Sequence, residues 1–185
     1  MGRETKSQRR PDVMDFKDCR SRKVVLVAHC HLNQNSRHWK CAECPAATCD
    51  LIGGLLERDI GILQMPCPEL LVLGLDRRHF WIRSGLESIP ARQAILEIAK
   101  PVVFQIEQYQ SCGVKVLGAL GNNGSPCCGV EETSKSDGKG SVPGEGVFIE
   151  ILRREMRAAG CEVPVVGIKD KEQAAALAVV DGWLQ

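Results

Sequence analysis

Ten cysteines among 185 residues, about 5% of the chain, are the most reactive feature of this sequence. Four of them stand directly behind short apolar runs. Cys30 lies in Ala28-His29-Cys30-His31-Leu32-Asn33, and Cys67 in Met65-Pro66-Cys67-Pro68-Glu69. Cys127 and Cys128 are adjacent in Gly124-Ser125-Pro126-Cys127-Cys128-Gly129. Three thiolates brought to one point suit a soft metal centre, above all an iron–sulfur cluster. A four-iron cluster held by three cysteines keeps one iron open to an outside ligand, and that iron can act as a Lewis acid. A structural zinc site would ordinarily close with four ligands. Buried cysteines also occur at strand ends as small hydrophobes without metal.

A second group has its own spacing. Cys41-Ala42-Glu43-Cys44, with Cys49 behind it and His38 ahead, reads as half of a zinc site, as a redox pair, or as a helix start with incidental cysteines. Cys19, Cys112 and Cys161 read as structural or incidental. Glu69, two residues past Cys67, is placed either for general acid–base work or for a cap or salt bridge that holds its loop. Ser125 can bond a substrate edge, or cap a turn with Pro126. His29 and His31 flank Cys30 and can serve as donors or as surface and core residues. Asn122 and Asn123 read first as turn residues. The glycine-rich stretch from Gly118 to Gly129 lacks the Gly-Lys-Ser/Thr ending of a phosphate-binding P-loop.

The elements that must position these groups alternate between strand and helix. Val24 to Ala28 is a wholly apolar, β-branched run of the kind found in strands covered on both faces. Asp50 to Arg58 reads as a helix weakened by glycines, and Ile60 to Met65 as a second strand stopped by Pro66. A helix opens at Ser88 or Pro90 and runs through Ile95, Ile98, Val102, Ile106 and Tyr109, with Pro101 expected to kink or split it. Val114 to Leu120 is the third strand. A polar Gly/Ser/Pro-rich loop spans Thr133 to Gly146. Val147 to Ala159 is an amphipathic helix with Gly160 as its cap, Val163 to Ile168 a fourth strand, and Lys171 to Leu184 a last helix. The pattern predicts an α/β fold: a parallel sheet of about four to five strands with helices on both faces, Rossmann-like or flavodoxin-like. Such sheets take ligands outside the carboxyl ends of their strands, where the four cysteines fall.

Composition sets the outer limits. Hydrophobic residues make up 44% and charged residues 25%, enough apolar material for a sizeable core. A formal net charge of +1 creates no global field toward nucleic acid or a membrane surface. No apolar run reaches the roughly 20 residues a membrane-crossing helix needs. The N-terminus is basic without an apolar h-region, which reads as a cytoplasmic protein whose cysteines serve metal or redox chemistry. Through Lys23 there are eight Lys and Arg against four Asp and Glu. Residues 1–22 are therefore expected to form a flexible basic arm, and residues 23–185 a single α/β domain.

Three segments taken together resemble the motifs of the thiouracil desulfurase family. They are Val27-Ala28-His29-Cys30-His31-Leu32-Asn33; Cys67-Pro68-Glu69 followed by Gly74-Leu75 and Arg77; and Ser125-Pro126-Cys127-Cys128-Gly129. The resemblance runs from about Lys23 to Ile168 and includes the helix from Val147 to Gly160. It implies a [4Fe-4S] cluster on Cys30, Cys67 and Cys128, with one iron not bound by protein. It also implies a non-redox removal of sulfur from a small thiolated nucleobase. The soft sulfur would meet the open iron, water would add at the carbon, and sulfide would leave. Glu69 would move the proton and Ser125 would assist. His31 and Asn33 replace apolar residues and glycine of better-known members. Cys127 stands where those members usually have serine, which leaves open which of the two neighbours ligates. Zinc binding without turnover and thiol redox chemistry are the alternatives.

Overall fold

The computed structural model describes residues 16–77 and 81–185. Most of the expected basic arm, residues 1–15, lies outside the described residues. Within the part that is described, Arg20 pairs with Asp18 and its guanidinium stacks 4.0 Å from the centroid of the Phe16 ring.

The chain forms a four-stranded sheet of order β2-β1-β3-β6, with β1 at Lys23–Ala28, β2 at Gly61–Met65, β3 at Lys115–Asn122 and β6 at Val165–Ile168. Every pairing is parallel. The α/β expectation holds, and the strand count is four. Alternation along β1 divides the core. Leu26 and Ala28 face one layer, with α5 (Ile89–Ser111) and α6 (Val147–Ala159). Val25 and Val27 face the other, with α2 (Cys49–Glu57) and α7 (Gln173–Leu184). The wholly apolar run of β1 is thus explained by cover on both sides. Pro164 precedes the edge strand β6, where a missing N–H costs no ladder bond.

Three local expectations need correction. The helix through Pro101 is not split in two, since α5 is continuous over 23 residues. Pro101 and Glu97, whose carbonyl loses its partner, both lie on the exposed face, where water can take the freed acceptor. The buried stripe is Ala91, Ile95, Ala99, Val102, Val103 and Ile106. The polar stretch 133–146 is not wholly loop. It contributes an antiparallel ribbon of β4 (Glu132–Ser134) and β5 (Ser141–Pro143). Three short helices also appear where loops were expected: α1 (His29–Leu32), α3 (Pro68–Leu73) and α4 (Ile82–Glu87).

Candidate functional site

Each strand-end cysteine sits where a strand hands over to a helix. Cys30 is in the first turn of α1, directly after β1. Cys67 is the N-cap residue of α3, followed by Pro68 in the position where a helix loses nothing by lacking an N–H. Cys127 and Cys128 form a turn between β3 and α6, and α6 anchors it. The opening N–H groups of that helix need acceptors. Val147 N–H donates to the Pro126 carbonyl at 3.0 Å, and Phe148 and Ile149 donate to the Cys127 carbonyl at 3.0 and 3.2 Å. Gly146 makes this approach feasible, because a Cβ there would meet backbone atoms of Cys127 at 2.4 to 2.9 Å.

Cys30, Cys67, Cys127 and Cys128, together with the exposed Cys41, line one cavity of about 380 Å³ at the carboxyl ends of β1, β2 and β3. That volume lies at the small end of ligand sites. Cys127 Sγ is 3.3 Å from Cys128 Sγ and 3.2 Å from Glu69 Oε1. Cys67 is hydrogen-bonded to Cys127, which together with burial pushes its thiol far above the ordinary value. Burial pushes Cys30 up to about 12, against the opposing charge of Arg37. The hydrogen bond to Cys128, in balance with one to Cys67 and with burial, raises Cys127 well above its ordinary value. Cys127 lowers Cys128 by hydrogen bonding, but desolvation and the neighbouring Cys67 and Cys30 outweigh it. The raised values favour the protonated thiols in this crowded cavity, and a metal would displace the protons.

Glu69 and Ser125 meet at the same place. Arg77 Nε reaches Glu69 Oε2 at 3.2 Å, and the same guanidinium donates to the Ser36 and Gly74 carbonyls. Glu69 and Arg77 are buried. Oε2 is thereby fixed, and Oε1 is turned toward Cys127 and toward the Ser125 hydroxyl, which donates to it at 3.2 Å. The Ser125 oxygen accepts from the N–H groups of Cys127 and Cys128 at 3.2 and 3.1 Å. The structural reading of each residue is realised: Glu69 holds a salt bridge at the cavity wall, and Ser125 caps the turn and bonds Glu69. Asn123 is structural, its Oδ1 accepting from Val130, Glu131 and Glu132 N–H.

The flanking histidines divide. His29 lines the cavity. His31 is fully buried, its Nδ1 3.1 Å from Asp170 Oδ1 at the end of β6. Asp170 also takes Arg37 Nη2 and, at 3.2 Å, Gln34 Nε2. Burial alone would raise its pKa, but the His31 hydrogen bond and the Arg37 charge hold it below the ordinary carboxylate value. This network was not foreseen from sequence.

The second cysteine group does not assemble a metal clip. Cys41 and Cys49 are exposed, and Cys41 Sγ lies 3.7 Å from His38 Nδ1. Among the described residues no three His, Cys, Asp or Glu side chains converge to hold a single ion. No helix among them is long and apolar enough to cross a membrane.

No family model matches this chain. An uncharacterized protein of Methanocaldococcus jannaschii is 26% identical over 111 residues, covering 60% of this chain and 70% of that protein. A solved structure, the [4Fe-4S]-dependent thiouracil desulfidase TudS, aligns with a TM-score of 0.52 and 22% identity over 86% of this chain and 98% of its own. The chain thus shares an α/β fold with a solved thiouracil desulfidase.

Proposed function

We propose that this protein is a [4Fe-4S]-dependent, non-redox desulfidase. It removes sulfur from a thiolated nucleobase of the 2-thiouracil kind, or from a similar small thiocarbonyl compound, in the cytoplasm. Residues 23–185 act as one iron–sulfur domain, with Cys30, Cys67 and Cys128 as ligands. The observation that carries the reading is that three buried thiols, those of Cys67, Cys127 and Cys128, and the half-buried Cys30 line one small cavity with the Glu69 carboxylate. The donor set suits a cluster better than zinc. Thiolates of a cluster bind separate irons, whereas a zinc ion needs its donors around one point, which no group among the described residues provides. Cys128 is assigned as the ligand of its pair by its position in the third motif, and Cys127 contacts Glu69 Oε1 at 3.2 Å.

When bound, such a cluster supplies an iron free of protein ligands, a Lewis acid matched to soft sulfur. The chain's own residues handle the proton. Glu69 Oε1 accepts a proton from the water that adds to the thiocarbonyl carbon, and returns it to the departing sulfide. The thiocarbonyl and water become carbonyl and hydrogen sulfide, with no net electrons. Arg77 and Ser125 hold the carboxylate in register. Anaerobically prepared protein given 2-thiouracil is expected to release uracil and sulfide in equal amounts, at a rate proportional to cluster content. Full cluster content with no uracil formed would contradict the reading.

A further inference from the structure

Opposite Glu69 and Ser125, the cavity wall is built from the chain that follows β1, and its polar atoms are conspicuously unmatched. Both ring nitrogens of His29, Nε of Arg37 and Nε2 of His38 are buried with no hydrogen-bond partner among the described residues, and all three residues line this cavity. Buried polar atoms without partners are costly and rare, so four of them on three residues around one cavity call for a ligand. Arg37 is held rigidly. Its Nη2 donates to Asp170 and, at 3.3 Å, to Asn122 Oδ1, and the side chain is 12% exposed. The carboxylates of the cavity are already engaged: Glu69 by Arg77, and Glu43 by Lys171 at 3.8 Å. What remains unanswered on this wall is hydrogen-bonding capacity: the Nε–H of Arg37, whose charge Asp170 already meets, and ring nitrogens of His29 and His38.

We infer that this wall binds an anionic oxygen group, so that the substrate is a thiocarbonyl compound carrying a carboxylate, with Arg37 as its principal partner and His29 and His38 as further donors. A rigidly held guanidinium with its Nε–H free can donate a charge-assisted hydrogen bond to one carboxylate oxygen. The inference rests on the desulfidase reading for the thiocarbonyl half of the substrate. The carboxylate half stands on the wall alone.

Two matched pairs of probes test it on the cluster-loaded full chain: uracil against its 6-carboxylate by calorimetry, and 2-thiouracil against its 6-carboxylate by sulfide release. The carboxylate member of each pair should be favoured by about 10–100-fold, the worth of hydrogen bonds to a charged group. Arg37→Gln should bring both ratios close to one while iron content and cluster absorption persist, and Arg37→Lys should keep part of the preference. Should Arg37→Gln fail to fold, the wild-type ratios decide by themselves. Ratios near one in the wild type would overturn the inference. So would an Arg37→Gln variant in which both members weaken equally and the cluster spectrum changes, because the donors would then serve the cluster. Selective binding of uracil-6-carboxylate without desulfurisation of either thione would leave the wall standing and remove the desulfidase. Equal desulfurisation of both thiones would do the reverse.

Discussion

Two groups of cysteines in this molecule differ in a way their sequences do not suggest. Cys41 and Cys44 have the spacing of a metal clip, yet Cys41 lines the thiol cavity only as an exposed residue 3.7 Å from His38, and among the described residues no group of three donors forms around the pair. Cys30, Cys67, Cys127 and Cys128 are scattered over a hundred positions of the chain, yet they share one cavity. The difference is topological. Three neighbouring parallel strands deliver their ends to one edge, and helices α1, α3 and α6 begin there. Short spacing only keeps residues close in the chain; a sheet edge fixes the directions in which their side chains meet.

The largest effect that sharpens this comparison is loss of the cofactor. Cys30→Ala, Cys67→Ala or Cys128→Ala should each remove most of the iron, measured per chain after anaerobic preparation, while Cys127→Ala should retain it. Iron lost from Cys127→Ala and kept by Cys128→Ala would reverse the assignment of the neighbours. Next comes Glu69→Gln, which nearly preserves side-chain volume. Turnover per cluster should fall by about 10²–10⁴, the usual worth of general acid–base catalysis. Undiminished turnover per cluster would take Glu69 out of the chemistry and leave it as the partner of Arg77.

A third change tests the scaffold. Gly146→Ala pushes a methyl group into the Cys127 backbone. Overpacking of this kind typically costs about 1–3 kcal/mol. It should lower the denaturation midpoint and loosen iron retention together; a fully stable, fully loaded variant would mean that α6 does not hold the thiol turn. The smallest effect is expected from the other cysteine group. Replacing Cys44 and Cys49 together by Ser should leave iron content unchanged and shift stability within about 0.5 kcal/mol, as surface changes usually do. Loss of metal from that double variant would restore the clip.

Much of the fold was legible because burial on both faces leaves a plain mark. Val24 to Ala28 has no polar residue to accommodate, and α6 shows Phe148, Ile151, Leu152 and Met156 on its buried face. Gly160 ends that helix at φ 67°, as its position suggested. The ribbon of β4 and β5 left no such mark, since its strands are three residues long and their sequence carries no apolar alternation. Helix α3 was hidden in the run Leu70-Leu71-Val72-Leu73, which is too short and too uniformly apolar to show a period. Of the site, the thiols, Glu69 and Ser125 were readable from their places behind strands. The Asp170 network with His31 and Arg37 was not, because its members are more than 130 positions apart and meet only through the adjacency of β1, β3 and β6. Arg77 was visible as a motif residue, but its grip on Glu69 needed the folded loop.

The central claim is that strand-end thiols, brought together by the sheet, hold an iron–sulfur cluster. Its most direct test is iron, zinc and acid-labile sulfide measured together on the wild-type chain purified without oxygen. The account predicts a brown protein with about four irons and about four sulfides per chain. One zinc per chain without sulfide, or a chain that takes up neither metal nor sulfide under cluster-assembly conditions, would contradict it.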